Sequence, residues 1–231
     1  MKTQKPRVLL SWSTGKDSAW TLHVLRYKGE VEVVGLITTV NEAFGRVAMH
    51  AVRREVLEAQ AQTVGLPIIT VPIPHPCSND EYETVFGSAL TESRETMGVT
   101  HMAFGDLYLE EVRAYRERQL ERTGIQPLFP LWGRPTSELA REMVEGGLRA
   151  ILTCVDPRRL PATFAGRSYD EQFLHDLPPE VDLCGEKGEF HTFAYAGPMF
   201  STPLTIAVGE IVERDGFVFT DVECVPERVL R

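Results

Sequence analysis

The sequence predicts an α/β protein in which a parallel-sheet domain is followed by a smaller α+β domain. In the first half, short apolar runs alternate with segments of helical periodicity, which favours βαβ units and a parallel sheet. In the second half, strand-like segments follow one another, and Asp215-Gly216 between the last two is a hairpin signal. The two halves therefore differ in architecture.

The first half carries four predicted strands and four predicted helices. The strands are expected at residues 8–11, 32–38, 68–71 and 101–104, and the helices at 18–27, 51–64, 80–97 and 110–122. Boundary residues agree with this interpretation. Ser78 and Glu81 are spaced as a capping box, and Gly65 and Gly98 stand where helix C-terminal caps belong.

A proline-rich stretch divides the chain. Three prolines between residues 127 and 135 disfavour regular structure, so we place a domain junction there and predict domains at 1–128 and 129–231. Beyond the junction, a helix is expected at 136–145 and strands at 150–155, 190–194, 206–214 and 217–223.

Composition restricts the class of protein. A chain of 231 residues with 43% hydrophobic residues is typical of a globular protein, and no apolar run approaches the roughly 20 residues of a membrane span. The net charge of −9 argues against a broad nucleic-acid surface. The cysteines are widely spaced, without a metal or disulfide pattern, at Cys77, Cys154, Cys184 and Cys224. We therefore expect a cytoplasmic protein without a secretory signal, a membrane segment or a nucleic-acid partner.

The most informative segment is Ser11-Trp-Ser-Thr-Gly-Lys-Asp-Ser18, which connects the first strand to the first helix. Backbone N–H groups and the helix dipole favour a phosphate at such a turn, and Lys16 adds a full positive charge. It is not a Walker A loop, because Leu10 replaces the first glycine and Asp17 follows the lysine. The alternative is an ordinary helix start. The candidate phosphate-binding residues are Ser11, Ser13, Thr14, Gly15, Lys16, Asp17 and Ser18.

Polar residues also follow the other predicted strands. Thr38 and Thr39 come at the end of the second strand, and Gly105 with Asp106 follows the fourth. Because ligands bind outside the carboxyl ends of parallel strands, these segments are expected to converge on one cleft. Asp17 and Asp106 are candidate Mg²⁺ ligands. The alternatives are a helix N-cap for the first and a solvated turn for the second.

The fourth predicted helix begins next to this supposed metal site and carries many charges. Arg113 and Glu117 are spaced for an i,i+4 ion pair, which commonly solvates a helix face. Arg113 and Arg116 remain candidates to bind an anionic group of the substrate.

A second polar segment is Asp182-Leu-Cys-Gly-Glu-Lys-Gly-Glu-Phe-His-Thr192. Glu186 and Glu189 are candidates to position or deprotonate an amine nucleophile, and His191 to donate a hydrogen bond to a developing anion. The alternative is a flexible hairpin loop. Asp156, at the end of a predicted strand, is a candidate to line the same cleft.

These segments carry a family resemblance. Ser13-Thr-Gly-Lys-Asp-Ser18 resembles the pyrophosphate loop of the PP-loop ATP pyrophosphatases, usually Ser-Gly-Gly-x-Asp-Ser, with Thr14 in place of the first glycine. With Gly105-Asp106 and Gly185-Glu-Lys-Gly-Glu-Phe-His-Thr192 in chain order, nearly the whole chain resembles the branch that includes diphthine–ammonia ligase. The last motif is most similar to its compact bacterial members.

The resemblance implies a Rossmann-like nucleotide-binding domain of the PP-loop (HUP) type that uses ATP and Mg²⁺. A small or protein-borne carboxylate would attack the α-phosphorus to give an acyl-adenylate and pyrophosphate, and ammonia would then displace AMP. On this chain, residues 13–18 would hold the phosphates, Thr38 and Thr39 would lie against the adenine, and Gly105 with Asp106 would complete the nucleotide site. The residues matching the second motif, on the substrate side, are Glu186, Glu189, His191 and Thr192.

The resemblance leaves the acid, the nucleophile and the oligomeric state open, a homodimer being one possibility. Two other functions fit the sequence less well. A nucleotide sensor without turnover would not need the polar segment at 182–192. An RNA-modifying enzyme would bind through a basic surface, which the charge of −9 disfavours.

Overall fold

The computed structural model describes residues 4–47 and 52–225. It confirms the predicted class, with a mostly parallel first sheet and an antiparallel second sheet. The strands of the first sheet are β1 (Arg7–Ser11), β2 (Glu32–Asn41), β3 (Arg46–Val47), β4 (Ile68–Ile73), β5 (His101–Ala103) and β6 (Gln126–Leu128). The helices between them are α1 (Lys16–Lys28), α2 (Arg54–Val64), α3 (Asn79–Met97) and α4 (Glu110–Leu120).

The first sheet has the strand order β3-β2-β1-β5-β6, and β4 also pairs with β2. All pairs are parallel except β2 with β3. The central strand β1 has β2 on one side and β5 on the other, so the direction in which strands are added to the sheet reverses at β1. The loops that follow β1 and β5 consequently meet at the carboxyl edge, where open α/β sheets bind ligands.

The second part begins with α5 (Thr136–Glu145) and continues with β7 (Arg149–Val155), α6 (Glu171–Asp176), β8 (Phe190–Ala196), β9 (Ile206–Arg214) and β10 (Phe217–Cys224). Its sheet has the order β8-β7-β10-β9, and every pair is antiparallel. Asp215 and Gly216 form the predicted hairpin turn, with φ angles of 53° and 79°.

Several elements differ from their predicted bounds, and β6 was not predicted. β2 continues to Asn41, so Thr38 and Thr39 lie within the strand and do not follow it. β6 forms inside the proline-rich stretch, because Pro127 lies in an edge strand, where a missing N–H is tolerated. α4 ends at Leu120. The start of the second helix was predicted at Ala51, which lies outside the described residues.

The two parts of the chain share one hydrophobic core, in which β8 packs against α1 and β10 against α2. Polar contacts fix the orientation of β8 over the end of β1, since the backbone N–H of Ala194 donates to the carbonyl of Thr14 at 2.9 Å. Within the described ranges, none of the helices has the length and apolar character required to cross a bilayer.

Candidate functional site

A cavity of about 260 Å³, here called the central cavity, lies where the ends of β1 and β5 face β8. Its volume is just below the range of about 300–1,000 Å³ that is usual for small-molecule pockets. The predicted site residues that line it are Ser11, Ser13, Lys16, Asp17, Ser18, Gly105, Asp106, Arg116, Glu186, His191 and Thr192. Five of the seven phosphate-loop candidates thus meet most of the second polar segment in one space, whereas Thr14 and Gly15 do not line it.

The loop after β1 has an unusual backbone at Thr14. Its φ angle of 72° is left-handed, a conformation that glycine adopts easily and a β-branched residue rarely does. This is the position at which related loops usually carry glycine. Thr14 is fully buried, and its carbonyl accepts hydrogen bonds from Ala194 N and Gln60 Nε2, both at 2.9 Å. These contacts hold the strained turn that precedes α1.

Gln60 was not predicted as a site residue, although it holds this loop in place. Its side chain is 0% exposed on the apolar face of α2. Gln60 Oε1 accepts from the Trp12 indole at 2.6 Å, and Nε2 donates to the carbonyls of Thr14 and Ala194 at 2.9 and 2.6 Å. The only signal in the sequence is an amide at an apolar position of a helix.

Lys16 supplies the positive charge of the central cavity. Its side chain is 2% exposed, and Nζ donates to both oxygens of Asp17, at 2.9 and 2.8 Å, and to the carbonyl of Cys184. Burial lowers the pKa of Lys16, but the charge of Asp17 and other neighbours outweighs it, so the pKa is raised. The amine therefore stays charged. The backbone N–H of Lys16 donates to Thr192 Oγ1 at 3.1 Å, which joins the two polar segments.

Gly105 and Asp106 approach α1 closely. A Cβ on Gly105 would lie 3.0 Å from the carbonyl carbon of Asp17, so only glycine fits there without a shift. Asp106 Oδ2 is buried without a hydrogen bond from the described residues, and Arg116 Nε lies 3.5 Å from it. Burial raises the pKa of Asp106 even though Arg116 opposes the shift. The Arg116 guanidinium is thus the counter-charge of this buried carboxylate, although burial has the larger effect on the pKa.

The segment at 182–192 folds over the cavity through tight turns. Gly185 and Gly188 have φ angles of 70° and 82°, and Asp182 Oδ1 accepts from Cys184 N at 2.9 Å. Glu186 Oε1 accepts from Leu107 N at 2.9 Å. Burial raises the pKa of Glu186 to about 7, although the bond from Leu107 opposes the shift. Glu186 can therefore exchange a proton near neutral pH.

Glu189 does not line the central cavity, in contrast to its predicted catalytic place. It is buried behind the loop, where Oε1 accepts a hydrogen bond from the Asp182 N–H at 3.2 Å. This bond stabilises the turn. Thr38 and Thr39 do not line it either. As residues of β2 they pair with Thr70 and Val71 of β4, and their adenine-side role stays a prediction.

Two further candidates face elsewhere because other side chains hold them. Arg113 Nε donates to Glu117 at 2.8 Å, which is the predicted i,i+4 pair, and its guanidinium stacks 4.9 Å from the Phe129 ring. Asp156 accepts from Arg158 Nε at 2.7 Å, and this hydrogen bond lowers the pKa of Asp156. Neither residue lines the central cavity. Arg116, by contrast, does, as predicted.

No group of three or more histidine, cysteine or acidic side chains arranged to hold a metal ion is found among residues 4–47 and 52–225. Asp17 and Asp106, the predicted Mg²⁺ ligands, both face the central cavity. Any metal held there would need further oxygen ligands from a bound molecule.

Two family models match the chain. One, described as the diphthamide synthase N-terminal domain, matches residues 6–127, and the other, described as the diphthamide synthase C-terminal domain, matches residues 135–223. Together they cover far more than half of the sequence and include both polar segments of the central cavity.

Curated relatives are similar over much of the chain. Diphthine–ammonia ligase of Danio rerio is 30% identical over 188 residues, which cover 75% of this chain and 73% of the relative. The ligase of Bos taurus is 26% identical over 237 residues, with coverages of 94% and 88%. That of Schizosaccharomyces pombe is 25% identical over 228 residues, with coverages of 90% and 37%. These names favour neither a nucleotide sensor nor an RNA-modifying enzyme.

Proposed function

Since this chain belongs to the diphthamide synthase family, which matches both of its parts, we propose that it is an ATP-dependent ligase that forms a C–N bond. A substrate carboxylate attacks the α-phosphorus of ATP, giving an acyl-adenylate and pyrophosphate. Ammonia then attacks the acyl carbon, and AMP leaves as the amide forms. The observation that supports this most is that one cavity is lined both by an anion-binding loop and by the polar segment at 182–192.

The nucleotide side of the reaction is assigned to the loop after β1. The N–H groups at the start of α1 and the ammonium of Lys16 bind phosphate oxygens. Lys16 Nζ exchanges Asp17 and the Cys184 carbonyl for phosphate when ATP enters. Gly105 lets the loop after β5 approach the start of α1, since a Cβ there would meet the backbone of Asp17 and Ser18. Thr38 and Thr39 are proposed to border the adenine.

Mg²⁺ fits the carboxylates at the bottom of this cavity. Asp106 Oδ2 is buried without a hydrogen bond from the described residues, and a cation would satisfy it. Asp17 and Asp106 would hold the ion together with phosphate oxygens, since oxygen ligands are those that Mg²⁺ prefers. When bound, the ion neutralises charge on the phosphates.

The amine side of the reaction is assigned to the segment at 182–192. Glu186 accepts a proton from ammonium to give the nucleophile ammonia. His191 donates to the oxygen that gains charge as the acyl carbon becomes tetrahedral. Thr192 fixes the loop after β1 through its bond from Lys16 N, and Glu189 holds the turn from behind. The packed lining limits access of water to the acyl-adenylate.

The proposal is tested by the products. Purified protein is incubated with ATP, Mg²⁺, ammonium and a candidate acid labelled with ¹⁸O in its carboxylate. We expect AMP and pyrophosphate in equal amounts, and one ¹⁸O atom transferred to the phosphate of AMP. Release of ADP and phosphate, or unlabelled AMP, would contradict adenylation. Diphthine, which the relatives' names contain, and small carboxylic acids are the two substrate classes to compare.

A further inference from the structure

The strand β9 (Ile206–Arg214) is the outermost strand of the second sheet and is open to solvent along almost its whole length. Residues 207–214 are all exposed. Among the described residues β9 pairs with β10 only, so the N–H and C=O groups of its outer edge have no strand beside them. Such a long free edge is a template for pairing with another chain.

The other sheet edges of the molecule are closed to such pairing. In the first sheet the outer strands are short or carry a proline, since β3 has two residues, β4 contains Pro72 and β6 contains Pro127. In the second sheet the edge of β8 is covered, because Ala194 donates to the loop after β1 and accepts from Gln60. In the described part of the chain, β9 is therefore the one long open edge.

Apolar side chains are concentrated on this open strand. Among the described residues, six large hydrophobic side chains are exposed, and three of them belong to β9. These are Val208, Ile211 and Val212, with exposed fractions of 51%, 54% and 47%. Apolar groups beside a free sheet edge are typical of a surface that another protein covers.

The hairpin determines which backbone groups of β9 face outward. Arg214 and Phe217 flank the two-residue turn, so each uses its N–H and C=O for the other. Opposite pairs alternate along an antiparallel ladder, and Val212 consequently also faces β10. Ile211 and Glu213 therefore direct their N–H and C=O groups to the free edge. Beyond Ile211 a bulge with one extra residue in β9 interrupts the regular ladder.

The charges of this edge favour one symmetric register between two copies of the chain. A two-fold axis at Val212 places Val212 opposite its copy, and the outward backbone groups of Ile211 then pair with those of Glu213. The same axis places Glu210 opposite Arg214 on both of its sides. An axis at Glu210, Glu213 or Arg214 would instead place like charges opposite each other. An axis at Ile211 would place Arg214 opposite an apolar residue.

We propose that this protein forms a two-fold symmetric homodimer in which the β9 edges of two copies pair antiparallel about Val212. The two four-stranded sheets then become one continuous sheet. The contact closes after two chains, because each copy uses the same edge. Arg214 is half-exposed and lies 3.7 Å from its own neighbour Asp215, so the rim pair with Glu210 of the second copy is solvated. It selects the register and adds little affinity.

The test is the mass of the protein in sedimentation experiments over a range of concentrations. We expect the wild-type protein to pass reversibly from 25.9 kDa to twice that mass as its concentration rises. Glu210→Arg and Arg214→Glu each place like charges across the axis, and each should raise the Kd of the dimer by about tenfold.

Mixing these two variants tests the register itself. In a mixed dimer, both cross-strand pairs are attractive again, so an equimolar mixture should recover the wild-type Kd to within about threefold. This recovery also shows that both variants are folded. The matched control is Ala207→Arg, which adds a charge to the same exposed strand beyond the bulge, and it should stay within about twofold of wild type.

Each other outcome would overturn the proposal. A wild-type protein that stays at 25.9 kDa at the highest concentration would leave the β9 edge to a different partner. A dimer that neither charge variant weakens would place the contact on another surface. Variants that remain monomeric when mixed would contradict the register about Val212. The assembly is measured without ATP, so none of these results depends on the proposed ligase function.

Discussion

The two loops that meet at the central cavity are held in place in different ways. The loop after β1 depends on distant parts of the chain, because the Thr14 carbonyl is fixed by Gln60 from α2 and by Ala194 from β8. The segment at 182–192 makes its own turns, since Asp182 accepts from the N–H groups of Cys184 and Glu186, and hydrogen bonds from Lys16 and Leu107 then attach it to the site. The strained turn of the first loop thus needs tertiary contacts, whereas the turns of the second form locally.

The loops also divide the charges of the site. The first presents helix N–H groups and Lys16, which suit phosphate. The second presents Glu186, whose pKa burial raises to about 7, and which therefore suits proton exchange. Under the proposed function, the first loop would be the preorganised nucleotide end, and the second would be the end that changes protonation state. The predictions below test this division, from the largest expected effect to the smallest.

The largest effect is expected at the charged end of the first loop. Lys16→Met should lower kcat/KM for ATP by about 10²–10³-fold, because a buried cation aimed at developing phosphate charge is lost. The measurement is steady-state release of pyrophosphate. The control is Lys187→Met, an exposed lysine of the second loop, which should stay within about twofold of wild type. Similar losses of kcat/KM in both variants would contradict the proposed division of roles between the two loops.

The second prediction concerns how the first loop is held. Gln60→Leu should reduce the free energy of unfolding by about 2–4 kcal/mol, since the Trp12 indole and a strained carbonyl lose buried partners. If Gln60 acts by holding the left-handed turn, Thr14→Gly should recover part of this loss, because glycine adopts the turn without strain. Urea unfolding of the single and double variants measures the coupling energy.

We expect that coupling to be about 1 kcal/mol, together with a partial recovery of the KM for ATP in the double variant. Gln62→Leu, an exposed glutamine on the same helix, is the matched control and should show no coupling with Thr14→Gly. If the effects of Gln60→Leu and Thr14→Gly simply add, Gln60 stabilises the core without positioning the loop.

The same contrast explains how far the sequence could predict the structure. The parallel sheet and the loop between β1 and α1 were predictable, because an apolar strand, a Ser/Gly/Lys turn and a helix are adjacent in the chain. The role of Gln60 was not, since one of its partners, Ala194, lies 134 positions away. Thr14 was visible as a departure from glycine, but only the structure shows that its backbone keeps the glycine-like angle.

In the second half, the sequence predicted the neighbourhood of the polar residues better than their orientation. Glu186 and His191 line the central cavity, whereas Glu189 turns back to the Asp182 N–H. Glu186 and Glu189 lie on opposite sides of a tight turn. The sequence pattern does not show which of the two side chains faces the cavity. Asp156 was misplaced for a related reason, because Arg158, two positions later, captures its carboxylate.

A third prediction separates the two arginines of α4. Arg116→Gln should lower kcat/KM for ATP by about tenfold, because Arg116 lines the cavity beside Asp106. Arg113→Gln should change it by less than about twofold, since Arg113 pairs with Glu117 at the surface. Each variant is the other's control, as both remove a ring-stacked guanidinium from one helix. Equal effects would show that the anion site extends along α4.

The smallest effect is expected in the second loop, where stability should depend on pH through Glu186. The pKa of Glu186 is about 7 in the folded protein, compared with an ordinary value of 4.5 for an unfolded chain. The folded state therefore binds the proton more tightly. Stability from this group is therefore complete below pH 4.5 and is lost as pH rises through about 7. Glu186→Gln stays neutral and retains an oxygen for the Leu107 N–H, so it escapes this loss.

Relative to wild type, Glu186→Gln should therefore gain about 1–2 kcal/mol in the free energy of unfolding between pH 5 and pH 8, a figure reduced for solvent screening. Urea unfolding at both pH values measures it, with the exposed Glu180→Gln as a control that should show no such change. The sign is decisive: a gain that appears on acidification instead would mean that Glu186 is held as an anion in the folded state. The second loop would then resemble the first, with fixed charges and no group poised to accept a proton from ammonium.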